Sequence, residues 1–265
     1  MNVYKYELKA GKHSTIIWTC VLAFVAIFYL AFFQVIRNDA DTFLKITESV
    51  SPMIRQALGL AVNQITSPLG YYSFVFTYIL FLGALQATNM GINILSKEVR
   101  DKTADFLLTK PKTRNEIITA KMLSSITLLI ITNIVYVVAS VLSLVFFTNE
   151  NFDMNAAILI SASMLIVQLI FFSLGFLIAV IFPKIKSVIS VSLPLVFCFF
   201  IISLIYGMTG DTLYRNLSIF KYFDPNYIVV NSMYETKYLI YSTVIVIVFM
   251  VFSYVIYRKK DVHAV

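Results

Sequence analysis

The chain has 265 residues and a formal net charge of +7, and 59% of its residues are hydrophobic while only 13% are charged. Its mean hydropathy of +0.84 and its 23 phenylalanines lie well outside the range of soluble domains. This composition excludes an ordinary soluble enzyme and predicts a membrane protein.

Six apolar stretches in the chain have about the length of 20 residues that a helix needs to cross a bilayer core. Lipid offers the backbone no hydrogen-bond partner, and no period-two alternation indicates a barrel, so these stretches should be helices. We predict an all-α polytopic protein whose single transmembrane domain occupies residues 1–265. The predicted spans are 15–36, 71–95, 117–147, 155–182, 188–206 and 238–257.

Three lysines, Lys5, Lys9 and Lys12, precede the first apolar stretch, as they would in a signal peptide. The apolar run is too long for a signal peptide, and no cleavage site of small residues follows at the expected distance. We therefore predict that this stretch is retained as the first span.

Lysine and arginine are distributed unequally between the two sides of the membrane. If the N-terminus lies inside, the inner segments hold fifteen of them and the outer segments hold six. Because positively charged loops stay inside, both termini and the segment 96–121 are predicted to be cytoplasmic. The net positive charge then lies beside anionic lipid, and no nucleic-acid partner is implied.

The two long outer loops, 37–70 and 207–237, each contain a helix-start signal. Ser51 and Pro52 precede a short amphipathic helix predicted over 54–65, and Asp224 and Pro225 precede a second short helix. We interpret these helices either as caps on the outer leaflet or as a gate for an outer exit.

Polar side chains are few within the spans. Gln86, Asn89 and Asn93 follow one another at i, i+3 and i+7 and form a stripe along the second span. This stripe either hydrogen-bonds a neighbouring helix or lines a pathway. Ser190 and Pro194 of the fifth span are further pathway candidates, and Pro194 is expected to kink its helix.

Ionisable side chains are absent from the six predicted spans except near their ends. This pattern argues against an ion-coupled carrier, a channel with a charged filter and an intramembrane hydrolase. The two histidines lie near opposite termini and the two cysteines lie in apolar stretches, so no metal site or Cys/His nucleophile is predicted.

Residues 96–121, between the second and third spans, carry eleven charged side chains. Val99, Phe106 and Leu107 fall on one face of a helix that Pro111 would end. Residues 113–116 have the form of a capping box that opens the third span. Such a helix could rest on lipid, but its mixture of acidic and basic residues favours docking to another protein.

This segment resembles the loop after the second span in ATP-binding-cassette type-2 exporter permeases. The chain departs from that pattern at Lys102, where many members have glycine. The matching residues are Glu98, Thr103, Asp105, Leu107, Leu108, Pro111, Thr113, Arg114 and Lys121. The resemblance extends over the whole chain, through its basic N-terminus, its six spans, residues 220–231 and the charged ending 257–261.

The resemblance implies an N-terminal elbow helix over 1–14, short outer helices before the sixth span, and a coupling helix within 97–112. This coupling helix would dock in a groove of a separate cytosolic ATPase, which would bind the ATP and Mg²⁺. The resemblance also implies a homodimer in a bacterial plasma membrane. No cofactor is expected in this chain, whose eight glycines form no phosphate-binding loop. The expected coupling residues are Glu98, Val99, Asp101, Lys102, Thr103, Asp105, Phe106, Leu107 and Pro111.

We predict an exporter permease that is not itself an enzyme and that moves a hydrophobic or amphipathic substrate out of the cell. An aromatic, uncharged interior favours an amphipathic peptide over a bare ion, because a desolvated charge is costly in apolar surroundings. In this respect the chain resembles permeases that export phenol-soluble modulins. The alternatives are an ATP-independent carrier or channel and a non-transporting membrane anchor or sensor.

Overall fold

The computed structural model describes residues 3–58, 65–100, 113–148, 150–182 and 184–259, and all regular secondary structure in these ranges is helical. A 3₁₀ turn, Ile219–Lys221, lies between the ninth and tenth α-helices. The helices are α1 (Val3–Ala31), α2 (Phe33–Asn38), α3 (Ala40–Ser49), α4 (Pro52–Leu58), α5 (Pro68–Arg100), α6 (Arg114–Thr148), α7 (Met154–Ile181), α8 (Ile189–Thr209), α9 (Thr212–Leu217), α10 (Pro225–Asn231) and α11 (Thr236–Lys259).

Six helical segments of the described ranges are long and apolar enough to cross a membrane: Val3–Asn38, which joins α1 and α2, and helices α5, α6, α7, α8 and α11. Each predicted span falls on one of these segments, so the all-α polytopic fold is confirmed. The N-terminal segment expected as an elbow is helical and continues directly into the first span, because α1 is a single helix from Val3 to Ala31.

Helices α6 and α10 begin at the predicted cap residues, Thr113 and Asp224. The Thr113 hydroxyl accepts a hydrogen bond from the Glu116 amide at 3.3 Å, which confirms the cap at the start of α6. The Asp224 carboxylate accepts from the Asn226 amide at 3.1 Å, and Pro225 begins α10. Each cap satisfies an amide that would otherwise lack a partner and contributes about 1 kcal/mol.

The outer helix predicted over 54–65 begins after Ser51, as expected, and part of its predicted range lies outside the described residues. Helix α4 spans Pro52–Leu58, residues 59–64 lie outside the described ranges, and Ile65 lies in a buried turn rather than in the helix. The Ser51 hydroxyl accepts from the Ile54 amide at 3.4 Å, and α4 packs against α8.

Helices α5 and α7 form the centre of the bundle. Their most apolar windows are 67% and 61% buried, whereas that of α11 is 11% buried. Gly91 and Gly175 lie where the two helices cross. A Cβ atom on Gly91 would lie 2.4 Å from the Phe172 carbonyl oxygen, and one on Gly175 would lie 2.7 Å from the Thr88 carbonyl oxygen. Such close backbone approach is typical of small residues at helix contacts in membranes.

The segment before α11 forms a cap that is packed against the spans. The Phe220 ring lies 5.3 Å from the Phe171 ring and 5.7 Å from the Phe200 ring, measured between centroids. The Ser232 hydroxyl donates to the Asp153 carboxylate at 2.6 Å, and this bond holds the pKa of Asp153 below its ordinary value. These contacts fasten the cap to α7 and α8.

Candidate functional site

A cavity of about 530 Å³ lies between α1, α5, α6 and the start of α8, at the end of the bundle where α1 begins and α5 ends. Its volume is within the range of about 300–1,000 Å³ that is typical of small-ligand sites. The wall is mixed in character. Amide, hydroxyl and charged side chains line one part of it, and Trp18, Leu128 and Ile189 line another.

The first amide of the predicted polar stripe joins three helices. Gln86 on α5 is 1% exposed and donates to the Thr132 hydroxyl of α6 at 3.3 Å. Its carbonyl oxygen accepts from the Gln168 amide of α7 at 3.2 Å. Hydrogen bonding between helices, one of the two interpretations of the stripe, therefore holds for Gln86, although its side chain also lines the cavity.

The other two amides of the stripe face the cavity with their carbonyl oxygens already occupied. The oxygen of Asn89 accepts from the Ser192 hydroxyl at 2.6 Å, which joins α5 to α8. The oxygen of Asn93 accepts from the guanidinium of Arg100 at 3.3 Å, and Arg100 lies about two helical turns further along α5. These hydrogen bonds hold both amides at the wall of the cavity.

An ion cluster borders the cavity at this end of the bundle. Glu7 of α1 accepts from Lys121 of α6 at 2.8 Å with one oxygen and pairs with Lys97 of α5 through the other. Lys121 also pairs with Glu98 and donates to the Ile94 carbonyl oxygen at 3.1 Å. The cluster therefore joins α1, α5 and α6 through two cations and two anions.

Lys121 is the most deeply placed member of this cluster, since its side chain is 0% exposed. Lys121 donates hydrogen bonds to the Glu7 carboxylate and to the Ile94 carbonyl oxygen, and it forms an ion pair with Glu98. Burying a charge costs several kcal/mol, and only nearby opposite charge with complete hydrogen bonding offsets that cost. Each of the four charges is thus paired with at least one opposite charge, and the loss of one partner should destabilise the fold.

The structure brings together only part of the predicted site. Gln86, Asn89 and Asn93 line one cavity, whereas Ser190 and Pro194 are exposed on α8 and do not reach it. Glu98 and Val99 belong to the last turns of α5, and Glu98 pairs with Lys121 inside the chain. The remaining coupling residues lie outside the described ranges; they are Asp101, Lys102, Thr103, Asp105, Phe106, Leu107 and Pro111.

Several residues of the site were missed from the sequence. Glu7 carried a usable signal, because it is the only acidic residue before Asp39 and lies among lysines. Trp18 is the only tryptophan of the chain, and it lines the cavity. Ser125 gave no signal, because isolated serines are common in membrane helices and only tertiary contacts distinguish them.

The chain matches a protein-family model described as ABC-2 family transporter protein over residues 1–262. A comparison with curated proteins gives no match. The family match covers nearly the whole chain and agrees with the six membrane-spanning segments and with the resemblance of the loop after the second span. The chain therefore belongs to the ABC-2 transporter family and is a multi-pass membrane permease component of an ABC transporter.

Proposed function

We propose that this chain is the membrane-spanning subunit of an ATP-driven exporter that moves an amphipathic peptide out of a bacterial cell. One observation carries the proposal: the polar cavity and the ion cluster lie where α5 leads into residues 101–112, the segment expected to contact an ATPase. A displacement of that segment would act at once on Lys97 and Glu98, in the last turns of α5. The cavity wall would move with them.

In the proposed orientation the cavity opens toward the cytoplasm and both termini lie on that side of the plasma membrane. The excess of lysine and arginine on the inner segments supports this orientation. The ATP and Mg²⁺ would be bound by the separate ATPase, and cargo would enter the cavity from the cytoplasm before hydrolysis.

A homodimer is supported by the open side of the cavity. Helices α1 and α8 both pack against α5, and among the described residues they do not pack extensively against each other. Only 17% of the most apolar window of α8 is buried within the chain. A second copy of the chain, placed on this side, would cover α8 and complete the cavity between two protomers.

The mixed cavity wall supports an amphipathic peptide as the cargo. Asn89 and Asn93 offer amide groups that can pair with a peptide backbone, and Trp18 and Leu128 offer apolar surface for side chains. A bare ion would use neither surface. A proton-coupled carrier is less well supported, because both oxygens of Glu7 already bind ammonium groups at one end of the bundle.

The proposal is tested first by purification. The affinity-tagged chain should bring down an ATPase of the ABC class, and the complex should hydrolyse ATP while the isolated chain does not. ATP turnover by the isolated chain would contradict the assignment, and so would a chain that exports peptide from vesicles without any ATPase.

A second test follows the cavity itself through single cysteines in a background with Cys20→Ser and Cys198→Ser. Asn89→Cys and Asn93→Cys should react with a membrane-impermeant thiol reagent from the cytoplasmic side, because thiolate chemistry needs access and hydration. Ile134→Cys, at a 59% exposed apolar position of α6, is the control and should remain unlabelled in lipid. Binding of a non-hydrolysable ATP analogue to the ATPase should change the labelling of the cavity positions. If the labelling of the cavity positions is the same with and without the ATP analogue, the cavity is not coupled to the ATPase.

A further inference from the structure

The hydrogen-bonding groups on the cavity wall are predominantly donors. The carbonyl oxygens of Asn89 and Asn93 already accept from Ser192 and Arg100, so their amide nitrogens remain for a ligand. The one carboxylate on the wall, that of Glu7, already binds two ammonium groups. An amide nitrogen only donates, so a ligand that meets this wall must supply acceptors.

Ser125 is a second, independent sign of a missing acceptor or donor at the cavity. Its side chain lines the cavity and is 1% exposed, yet its hydroxyl has no hydrogen-bond partner among the described residues. The neighbouring Ser124 hydroxyl, by contrast, donates to the Lys121 carbonyl oxygen at 2.8 Å. A buried hydroxyl without a partner is costly, and a ligand oxygen at the wall would remove that cost.

The charged residues of the wall are Lys97, Arg100 and Glu7. The carboxylate of Glu7 is already paired with Lys97 and Lys121, so it does not oppose an anion as an unpaired charge would. Lys121 and Glu98, behind the wall, balance each other. Trp18 and Leu128 complete the wall with apolar surface.

We propose that this cavity binds the anionic end of an amphipathic cargo, with a carboxylate or phosphate oxygen on the amides of Asn89 and Asn93 and the hydroxyl of Ser125. The apolar part of the cargo lies against Trp18 and Leu128. This inference rests on the proposed function for the identity of the cargo, and for a peptide the anionic end is its terminal carboxylate. The binding itself needs no ATPase.

Trp18 gives a direct measurement, because it is the only tryptophan and lines the site. The full chain in phosphatidylcholine nanodiscs is titrated with dodecanoyl-glycine, its neutral amide, dodecyltrimethylammonium and dodecyl phosphate, with Trp18 emission as the signal. We expect an anion to bind at least about tenfold more tightly than the neutral and cationic probes, since a charge-assisted hydrogen bond contributes roughly that factor or more. Equal affinity for all four probes, or no change with any of them, would overturn the proposal.

Asn89→Asp sharpens the test, because the carboxylate keeps an acceptor for Ser192 while replacing the amide donor with a negative charge. This variant should lose the preference for anions, and Ser125→Ala should weaken anion binding by about tenfold. Ser143→Ala is the control, because Ser143 does not line the cavity and its hydroxyl donates to the Ala139 carbonyl oxygen at 2.7 Å within α6. If Asn89→Asp and the control bind dodecanoyl-glycine equally, the amide is not the anion donor and the proposal fails.

The two anionic probes separate the possible cargoes. Tighter binding of dodecanoyl-glycine supports the terminal carboxylate of a peptide. Tighter binding of dodecyl phosphate would support the anion site but contradict the peptide cargo proposed above. Anion binding without any ATPase-dependent change in cavity labelling would leave this inference standing and overturn the exporter function.

Discussion

Gly91 lies at the contact between α5 and α7, whereas Gly11 lies on α1 beside the cavity, and substitution by alanine should have opposite effects at the two positions. In Gly91→Ala the new Cβ would lie 2.4 Å from the Phe172 carbonyl oxygen and 2.9 Å from the Phe176 amide nitrogen. Both atoms belong to the backbone of α7, so relief to an ordinary contact of 3.4 Å requires the helices to separate locally by about 1 Å. In Gly11→Ala the new atom would meet only Cδ1 of Leu128, the end of a flexible side chain that borders the cavity.

Two opposing contributions set the sign of the change in unfolding free energy. Alanine is favoured over glycine in a helix interior by about 1 kcal/mol, and this gain applies at both positions. Overpacking costs about 1–3 kcal/mol, and the upper end applies at Gly91 because backbone atoms cannot rotate away. We therefore expect Gly91→Ala to lower the free energy of unfolding by about 2 kcal/mol. Gly11→Ala should be neutral or stabilising by up to about 1 kcal/mol.

The assay is thermal unfolding of the purified chain in one detergent, followed by the loss of monodisperse protein after heating. A cost of about 2 kcal/mol corresponds to a fall in midpoint temperature of about 4–8 °C for a chain of this size. Gly175→Ala should behave like Gly91→Ala, since its Cβ would lie 2.7 Å from the Thr88 carbonyl oxygen. If Gly91→Ala and Gly11→Ala shift the midpoint equally, close backbone packing of α5 on α7 does not limit stability and the reasoning is wrong.

Two further substitutions test the ion cluster and the coupling segment. Glu7→Gln removes the carboxylate charge that pairs with Lys97 and Lys121, and it should lower the free energy of unfolding by about 3 kcal/mol. Glu150→Gln, whose pair with Arg37 is more exposed, should lower it by less than about 1 kcal/mol. Equal midpoint temperatures of unfolding for the two variants would contradict the importance of burial. Phe106→Ala should reduce co-purification of the ATPase about thirtyfold, since a packed aromatic anchor at an interface contributes about 2 kcal/mol. Asp101→Ala should reduce it less than about fivefold, since a charge at the rim contributes at most about 1 kcal/mol. Unchanged assembly in Phe106→Ala would exclude this segment as the docking element.

The number and positions of the spans could be predicted from the sequence because hydropathy depends on local composition alone. The helix starts at Thr113 and Asp224 could be predicted for the same reason, since a cap and the amide that it binds are two or three residues apart.

The site could be predicted only in part, because its contacts join distant parts of the chain. The spacing of Gln86, Asn89 and Asn93 placed them on one face of a helix, but did not indicate which helix that face meets. The pairing of Glu7 with Lys121 spans 114 residues, and a single sequence contains no record of it. Ser190 was selected as a polar residue in a span, yet its neighbour Ser192 is the one that reaches Asn89.

The described contacts include two closely packed helix pairs, α1 with α6 and α5 with α7, and some of the polar contacts of the site join one pair to the other. Gln86 of α5 reaches Thr132 of α6, and the ion cluster joins α5 to both members of the other pair. Within a pair, apolar packing and close glycine contacts oppose any displacement, since packed cores yield in discrete steps rather than continuously. Between the pairs the helices also pack, α6 on α7 and α1 on α5, but less closely, and hydrogen bonds and ion pairs add to that connection. A movement of α5 and α7 against α1 and α6 is therefore the change that this architecture permits most readily, and it is also the change that would reshape the cavity.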